Sequence, residues 1–324
     1  LSTGPDLTHH LLLIRHIEQH WRLVHDPALE RFLGEMAQYT PGSHVLSALA
    51  GAWSGTDGLR ALHPLQAWTV ALKAAFLFAV CVRLLPPRVP AALALLGPVL
   101  LLASPRYALG GFTEYGFLAQ VVAELFVVVM WWAMVAWAQT PAAVLLVVFG
   151  VAGAAAFLTW PVYVGPPCLA ALLVTTTCHA RTLARRAGDA VQAFAPIGLV
   201  ALIYVVGRLG WLQLAGTGGS APWPSVEAFG WPLLMLATIG FAIALRTPRG
   251  RPIACLAIAV VLQAGAFYVL ARRAGAAQPY MTLKMVYLLL WPMVACAVLV
   301  VGVLWERVAT SALQAPARAR AAAY

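Results

Sequence analysis

Apolar residues run along this chain in long blocks that end at charged residues, prolines or glycines. A helix of about 20 apolar residues can cross a lipid bilayer, and a proline at the end of a block removes a backbone donor and stops the helix. This pattern predicts an all-α, polytopic transmembrane helical bundle of about nine crossings, over residues 65–85, 89–104, 115–137, 142–158, 162–179, 190–207, 228–245, 252–271 and 285–305.

The composition narrows the class of protein further. The 324 residues are 62% hydrophobic and only 10% charged, and residues 125–180 contain no Asp, Glu, Lys or Arg. A stretch of that length holds more than two crossings. These properties exclude a soluble enzyme, a secreted disulfide scaffold and a disordered chain.

Basic residues are distributed unequally between alternate connections of the predicted bundle. One set of connections carries eleven Lys or Arg and two acidic residues, whereas the other carries nine basic and eight acidic residues. By the positive-inside rule the first set is cytoplasmic. Topology therefore accounts for the net charge of +10, and we expect no nucleic-acid partner.

This topology divides the chain into three parts. Residues 1–64 form an external loop, residues 65–306 form the bundle, and residues 307–324 form a basic cytoplasmic tail. Because an external N-terminus needs a preceding signal or helix, we expect one earlier crossing that is missing from this numbering.

The external loop carries most of the ionisable side chains. Seven of the eight histidines and six of the eleven acidic residues lie in the first 63 residues. His9, His16 and His20 share one face of a helix, which predicts an amphipathic helix on the outer membrane surface with its polar face toward an aqueous pocket. Either these histidines remain solvated, or His16 and His20, which are spaced i, i+4, chelate a divalent metal together with Asp6 or Glu18.

Asp6 is the leading candidate for a catalytic residue in this loop. It lies on the turn before the helix, where the partial positive charge of a helix N-terminus keeps a carboxylate ionised. Asp6 then acts either as a helix cap or as a general base that takes a proton from a substrate hydroxyl. We expect no required cofactor, and a divalent metal is the alternative that the histidines leave open.

Three short segments of the sequence contain acidic, basic or aromatic residues that are candidates for a functional site. The first is Asp6 with its histidine-bearing helix, followed by Tyr39-Thr40-Pro41-Gly42-Ser43-His44. The second is Gln278-Pro279-Tyr280-Met281-Thr282-Leu283-Lys284-Met285-Val286-Tyr287. The third is Gly110-Gly111-Phe112-Thr113-Glu114.

These segments resemble those of the GT-C superfamily of integral membrane glycosyltransferases. The first is similar to the external loop that carries the family's Asp, and the third is similar to an acidic external loop before a long helix. The second resembles the Tyr-x-x-x-Lys-x-x-Tyr element of the arabinofuranosyltransferase-like branch. No Asp-Asp or Asp-x-Asp pair follows Asp6, which is a departure from the family's pattern.

The resemblance implies an inverting sugar transfer from a polyprenyl-phosphate donor, on the external face of a bacterial inner membrane. It implies that Asp6, with His9 and His10 beside it, is the catalytic group. Tyr39, His44 and Glu114 are the implied substrate-binding residues in the loops.

The phosphate of a lipid carrier lies at the headgroup level, and cationic groups are needed to hold it as it leaves. Basic and aromatic residues in external connections meet this need, and they form two candidate groups. One is Arg272, Arg273, Tyr280 and Lys284, and the other is Arg106 with Tyr107. Arg272 and Arg273 are explained equally well as headgroup anchors. Lys284 begins a helix, where the dipole disfavours a cation unless an anion is nearby.

Lys73 and Glu124 are the charged residues in the middle of predicted crossings, whereas Arg83 lies near the end of its crossing. Charges within a bilayer are costly and usually paired. We expect these two residues to pair between adjacent helices, either as a structural pair or as part of a proton or substrate path.

Three functions remain open on the sequence alone. The leading hypothesis is the glycosyltransferase, with membrane lipids and a lipid-linked sugar donor as partners. The second is a noncatalytic membrane subunit that keeps a glycosyltransferase-like scaffold and serves a larger protein complex. The third is a lipid or solute transporter, which only Lys73 and Glu124 indicate.

Overall fold

The computed structural model describes residues 5–24, 27–37, 39–177, 182–207 and 221–321. Within these ranges the regular elements are all helical, as predicted. The α-helices are α1 (Pro5–His20), α2 (Pro27–Leu33), α3 (Gly42–Ser54), α4 (Gly58–Leu84), α5 (Leu96–Leu102), α6 (Pro105–Ala108), α7 (Gly110–Thr113), α8 (Leu118–Gln139), α9 (Ala143–Thr159), α10 (Gly165–Thr177), α11 (Leu183–Gly207), α12 (Val226–Phe229), α13 (Trp231–Arg246), α14 (Arg251–Arg273) and α15 (Tyr280–Ala321). Short 3-10 helices cover Gly34–Ala37, Ala91–Leu95 and Pro161–Tyr163.

Five of the described helices are long and apolar enough to cross a membrane, namely α4, α8, α11, α14 and α15. The apolar helices at Ala91–Leu102, Ala143–Thr159, Pro161–Thr177 and Trp231–Arg246 are shorter. A multi-pass membrane protein requires several such helices. The described elements confirm the all-helical class, whereas the number of about nine crossings stays a prediction.

Helices α4, α8 and α15 begin at the same end of the bundle, because Gln66 of α4 donates to the Leu118 carbonyl at the start of α8 and Lys284 of α15 donates to Gln120 of α8. At the end where α4, α8 and α15 begin, which we call the upper end, Thr40 Oγ1 donates to the Thr159 carbonyl at 3.0 Å. At the opposite end, Gln139 Nε2 donates to the Arg83 carbonyl at 2.7 Å. Each of these hydrogen bonds links segments that are far apart in the sequence, and they fix the register of the helices they join.

Helices α8 and α15 form the interior of the bundle. In each of them 72% of the most apolar window is buried, compared with 17% in α11 and 28% in α14. Trp131 and Trp137 of α8 are fully buried, so both rings pack against neighbouring helices. The two interior helices are consequently the ones that can hold polar groups away from lipid.

The N-terminal segment covers the upper end of the bundle. Leu13, Ile14 and Ile17 of α1 are buried, and Ile14 packs with Leu62 of α4 and Leu118 of α8. The apolar face of α1 therefore contacts protein, which corrects our expectation that it rests on the membrane surface. An amphipathic pattern records that a face is buried, but it does not record which surface covers it.

Helices α13 and α15 approach each other closely at Gly240. A Cβ atom at this position would clash with the backbone carbonyl of Cys296, whereas a Cβ atom at Gly265 of α14 would meet open space. Gly240 thus permits a backbone contact that no larger residue allows.

We expect Gly240→Ala to destabilise the protein by about 1–3 kcal/mol, because overpacking forces the two helices apart. Gly265→Ala is the matched control, and it should be neutral or stabilising by up to about 1 kcal/mol because alanine favours a helix. Thermal unfolding in detergent measures both changes. Equal midpoints for the two variants would contradict the close packing at Gly240.

Candidate functional site

A chain of buried polar side chains connects α4, α8 and α15 below the upper end. Lys73 Nζ lies 2.7 Å from Glu124 Oε2, and Gln120 Nε2 donates to Glu124 Oε1 at 3.0 Å. Lys284 Nζ donates to Gln120 Oε1 at 2.8 Å. All four residues are at most 3% exposed. The predicted pairing of Lys73 with Glu124 is confirmed, and we call the four residues the buried polar chain.

Aromatic rings surround both ammonium groups of this chain. Lys284 Nζ lies over the Phe117 ring, 5.0 Å from the ring centre of Tyr280 and 6.0 Å from that of Tyr287. Lys73 Nζ lies 5.5 Å from the ring centre of Trp291. A ring face attracts a cation more strongly when water is excluded, so these rings help to keep the positive charge inside the bundle.

Tyrosine hydroxyls gather beside Lys284 at the upper end. The rings of Tyr107 and Tyr287 meet edge to face with centres 5.0 Å apart. Their hydroxyls are buried without a hydrogen-bond partner among the residues described. The Tyr287 hydroxyl also interacts electrostatically with those of Tyr115 and Tyr280. We call Tyr107, Tyr115, Tyr280 and Tyr287 the tyrosine cluster.

The chain reaches this cluster through a tight turn before α8. Gly116 has a φ of +62°, a left-handed conformation that glycine adopts without strain. The turn brings Tyr115 into a stack with Phe117, with ring centres 5.3 Å apart. Local backbone geometry thus places one tyrosine of the cluster and the ring that covers Lys284.

Arg106 and Glu114 lie at the solvent-facing side of the cluster. Both are exposed, and both act on Tyr115. Burial raises the pKa of Tyr115, a hydrogen bond with Glu114 raises it further, and the charge of Arg106 opposes this. Burial also raises the pKa of Tyr107 to about 12. The phenols are therefore neutral hydrogen-bond donors at neutral pH.

Four predicted site residues are thereby brought together, namely Arg106, Glu114, Tyr280 and Lys284. They come from two segments that are far apart in the sequence, residues 106–114 and 280–284. The structure adds Tyr115, Tyr287 and Gln120, which our prediction of site residues missed, and it places the predicted Tyr107 in the same cluster. Tyr287 lies in the segment quoted for the resemblance, and the i, i+4 spacing of Gln120 and Glu124 was a signal for their contact.

A second group of predicted residues forms in the N-terminal segment. His10 Nδ1 and His44 Nε2 are 2.8 Å apart, and the Tyr39 ring lies edge-on to both histidines. His10, Tyr39 and His44 are all buried. Burial holds the pKa of His44 well below its ordinary value, and the neighbouring His10 lowers it further.

One turn separates this histidine pair from the tyrosine cluster. The Trp160 ring packs on Tyr39 with centres 5.6 Å apart. Three residues later, the Tyr163 hydroxyl donates to the Lys284 carbonyl at 2.9 Å. Tyr163 also interacts electrostatically with Tyr39, Tyr280, Tyr287 and Glu124. The two groups of predicted residues are therefore neighbours across the turn that contains Pro161.

The remaining predicted residues lie elsewhere or outside the description. Arg272 and Arg273 are exposed at the end of α14. Asp6 falls within the first turn of α1 rather than before it, and its side chain lies outside the described residues. His9 is half-buried and faces Gly34.

His16 and His20 lie on a separate cavity of about 660 Å³ between α1 and α2, together with Arg15, Gln19 and Arg22. Their rings stack with centres 4.5 Å apart. This agrees with the predicted polar face toward a pocket, although His9 is not part of the cavity wall. No group of three or more His, Cys, Asp or Glu side chains with metal-binding geometry occurs among the described residues.

Comparisons with known protein families, with curated proteins and with solved structures find no match to this chain. The resemblance to glycosyltransferases therefore rests on the three sequence segments.

The buried histidine pair makes stability depend on pH. Because the pKa of His44 is lowered in the folded protein, the unfolded chain binds a proton near pH 6.5 that the folded protein resists. Acidification should therefore lower the unfolding temperature of the protein between about pH 7 and about pH 5. His44→Gln keeps a hydrogen-bonding group without this titration, so its unfolding temperature should fall less. Parallel decreases in the two proteins would contradict this assignment.

Proposed function

We propose that the chain is a GT-C-like membrane glycosyltransferase that takes a sugar from a polyprenyl-phosphate donor at the upper end of the bundle. One observation carries the proposal. Arg106, Glu114, Tyr280 and Lys284 meet at the tyrosine cluster, in which the buried hydroxyls of Tyr107 and Tyr287 have no hydrogen-bond partner among the described residues. Buried polar groups are nearly always satisfied, so a ligand that supplies acceptor oxygens suits this place.

The chemistry of a lipid phosphate fits this environment. Its oxygens accept hydrogen bonds from phenols, and its negative charge is favoured beside the Lys284 ammonium. The N-terminus of the long helix α15 adds a partial positive charge at the same place. These groups would stabilise the charge that develops on phosphate as it leaves.

The proposed reaction is an inverting transfer. The acceptor hydroxyl oxygen forms a bond to the anomeric carbon of the sugar, and its proton passes to a carboxylate that acts as general base. The bond from the anomeric carbon to the phosphate oxygen breaks, and its electron pair stays on the phosphate. Asp6 is the proposed base, and His10 and His44 would hold the N-terminal segment over the site.

The phosphate-binding role of Lys284 can be tested with undecaprenyl phosphate in detergent micelles. A hydrogen bond to a charged group contributes about 1.5–3 kcal/mol, so Lys284→Met should weaken binding about 10-fold to 100-fold. The exposed Arg246 at the lower end provides the control, because Arg246→Met removes a cation without touching the site. Equal affinities of Lys284→Met and the control would refute a phosphate site at Lys284.

The role of Asp6 is tested by turnover. In liposomes loaded with polyprenyl-phosphate mannose or polyprenyl-phosphate arabinofuranose, the protein should release polyprenyl phosphate when a suitable acceptor is present. Asp6→Asn should abolish release while donor binding stays nearly unchanged, because the amide cannot accept the proton. Release by Asp6→Asn at the native rate would remove Asp6 from the mechanism.

The same assay separates the enzyme from a noncatalytic subunit. Binding of undecaprenyl phosphate without release from either donor, over a panel of sugar and lipid acceptors, would contradict the transferase and favour a scaffold that has kept only the lipid site.

A further inference from the structure

The buried polar chain does more than tie three helices together, because the amide of Gln120 has a fixed direction. Its Nε2 donates to Glu124 Oε1 at 3.0 Å, and its Oε1 accepts from Lys284 Nζ at 2.8 Å. A rotated amide would turn its NH₂ group toward an ammonium and its oxygen toward a carboxylate. One contact would then place two donors together and the other would place two acceptors together. The carboxylate of Glu124 therefore determines which end of the amide faces Lys284.

Lys73 stabilises this orientation of the Gln120 amide through Glu124. Its ammonium lies 2.7 Å from the other oxygen of Glu124, and the two side chains are only 2–3% exposed. An ionised carboxylate so deep in a bundle is stable only when paired. Charge on Lys73 therefore holds charge on Glu124, which in turn holds the direction of Gln120.

From this geometry we infer that Gln120 and Glu124 are positioning residues for Lys284. They present an acceptor oxygen that draws the Lys284 ammonium beneath the Phe117 ring and beside the tyrosine cluster. The inference rests on the proposed phosphate site at Lys284. It assigns to the Lys73–Glu124 pair a role in ligand affinity, in addition to its contribution to packing.

Stability considerations support a role beyond packing. Replacing a buried ion pair by apolar residues of similar size is often neutral or stabilising. A pair that only joined α4 to α8 could therefore be replaced by apolar side chains, whereas orienting an amide toward Lys284 needs a carboxylate at Glu124.

A charge exchange tests this inference. The double variant Lys73→Glu with Glu124→Lys keeps an ion pair between α4 and α8 but places an ammonium beside Gln120. The amide must rotate to meet it, and its NH₂ group then faces Lys284. We expect the affinity for undecaprenyl phosphate to fall by about 10-fold or more, as for loss of a charged hydrogen bond, while the unfolding temperature stays close to that of the native protein.

The rescue is made at Gln120 itself. In the exchanged protein, Gln120→Glu supplies an acceptor oxygen to both lysines and should restore affinity to within about threefold of the native value. In the native background the same Gln120→Glu change puts two carboxylates side by side and should weaken binding. Gln120→Glu should thus raise the affinity in the exchanged protein and lower it in the native protein, a result that packing alone does not produce.

If the exchanged protein does not fold, Gln120→Met in the native background provides the measurement. It keeps the length of the side chain and removes both hydrogen bonds, so the affinity should fall as it does for the exchange. Native affinity in Gln120→Met or in a folded exchange variant, with binding lost in Lys284→Met, would overturn the positioning role alone. Native affinity in Lys284→Met would overturn the phosphate site on which the inference rests.

Discussion

The ion pair between Lys73 and Glu124 is the interaction on which the upper half of this bundle depends. Inside a bilayer every polar group must be satisfied by the protein, and two opposite charges at 2.7 Å meet that requirement only when α4 and α8 keep one register. Gln120 and Lys284 extend the same requirement to α15. Three helices are thus fixed relative to one another by groups that have no alternative partners in lipid.

This register brings the candidate site residues together at the start of α15. The Tyr163 hydroxyl holds the Lys284 carbonyl, and the turn that carries Tyr163 also supports Tyr39 and the His10–His44 pair. The N-terminal segment is therefore seated on the same framework as the tyrosine cluster. A lipid phosphate bound there would lie between a rigid interior and a covering segment rich in histidine.

The sequence predicted the parts of this arrangement that depend on local pattern. Apolar blocks located the helices, and two charges within crossings were enough to foresee the Lys73–Glu124 pair. The covering surface of α1 was assigned wrongly, since Leu13, Ile14 and Ile17 would form the same stripe against lipid or against protein. The convergence of Arg106 and Glu114 on Tyr115, and of Tyr107 on Tyr287, depends on packing between distant segments, which no spacing rule encodes.

In the proposed function, the tyrosine cluster beside Lys284 receives the phosphate of a lipid carrier. The most direct test is a cryo-electron microscopy structure of the protein in lipid nanodiscs with undecaprenyl phosphate. We expect phosphate density within hydrogen-bonding distance of the Tyr107 and Tyr287 hydroxyls, next to the Lys284 ammonium. Density for the phosphate at another place on the protein, with the two hydroxyls bonded only to water, would contradict it.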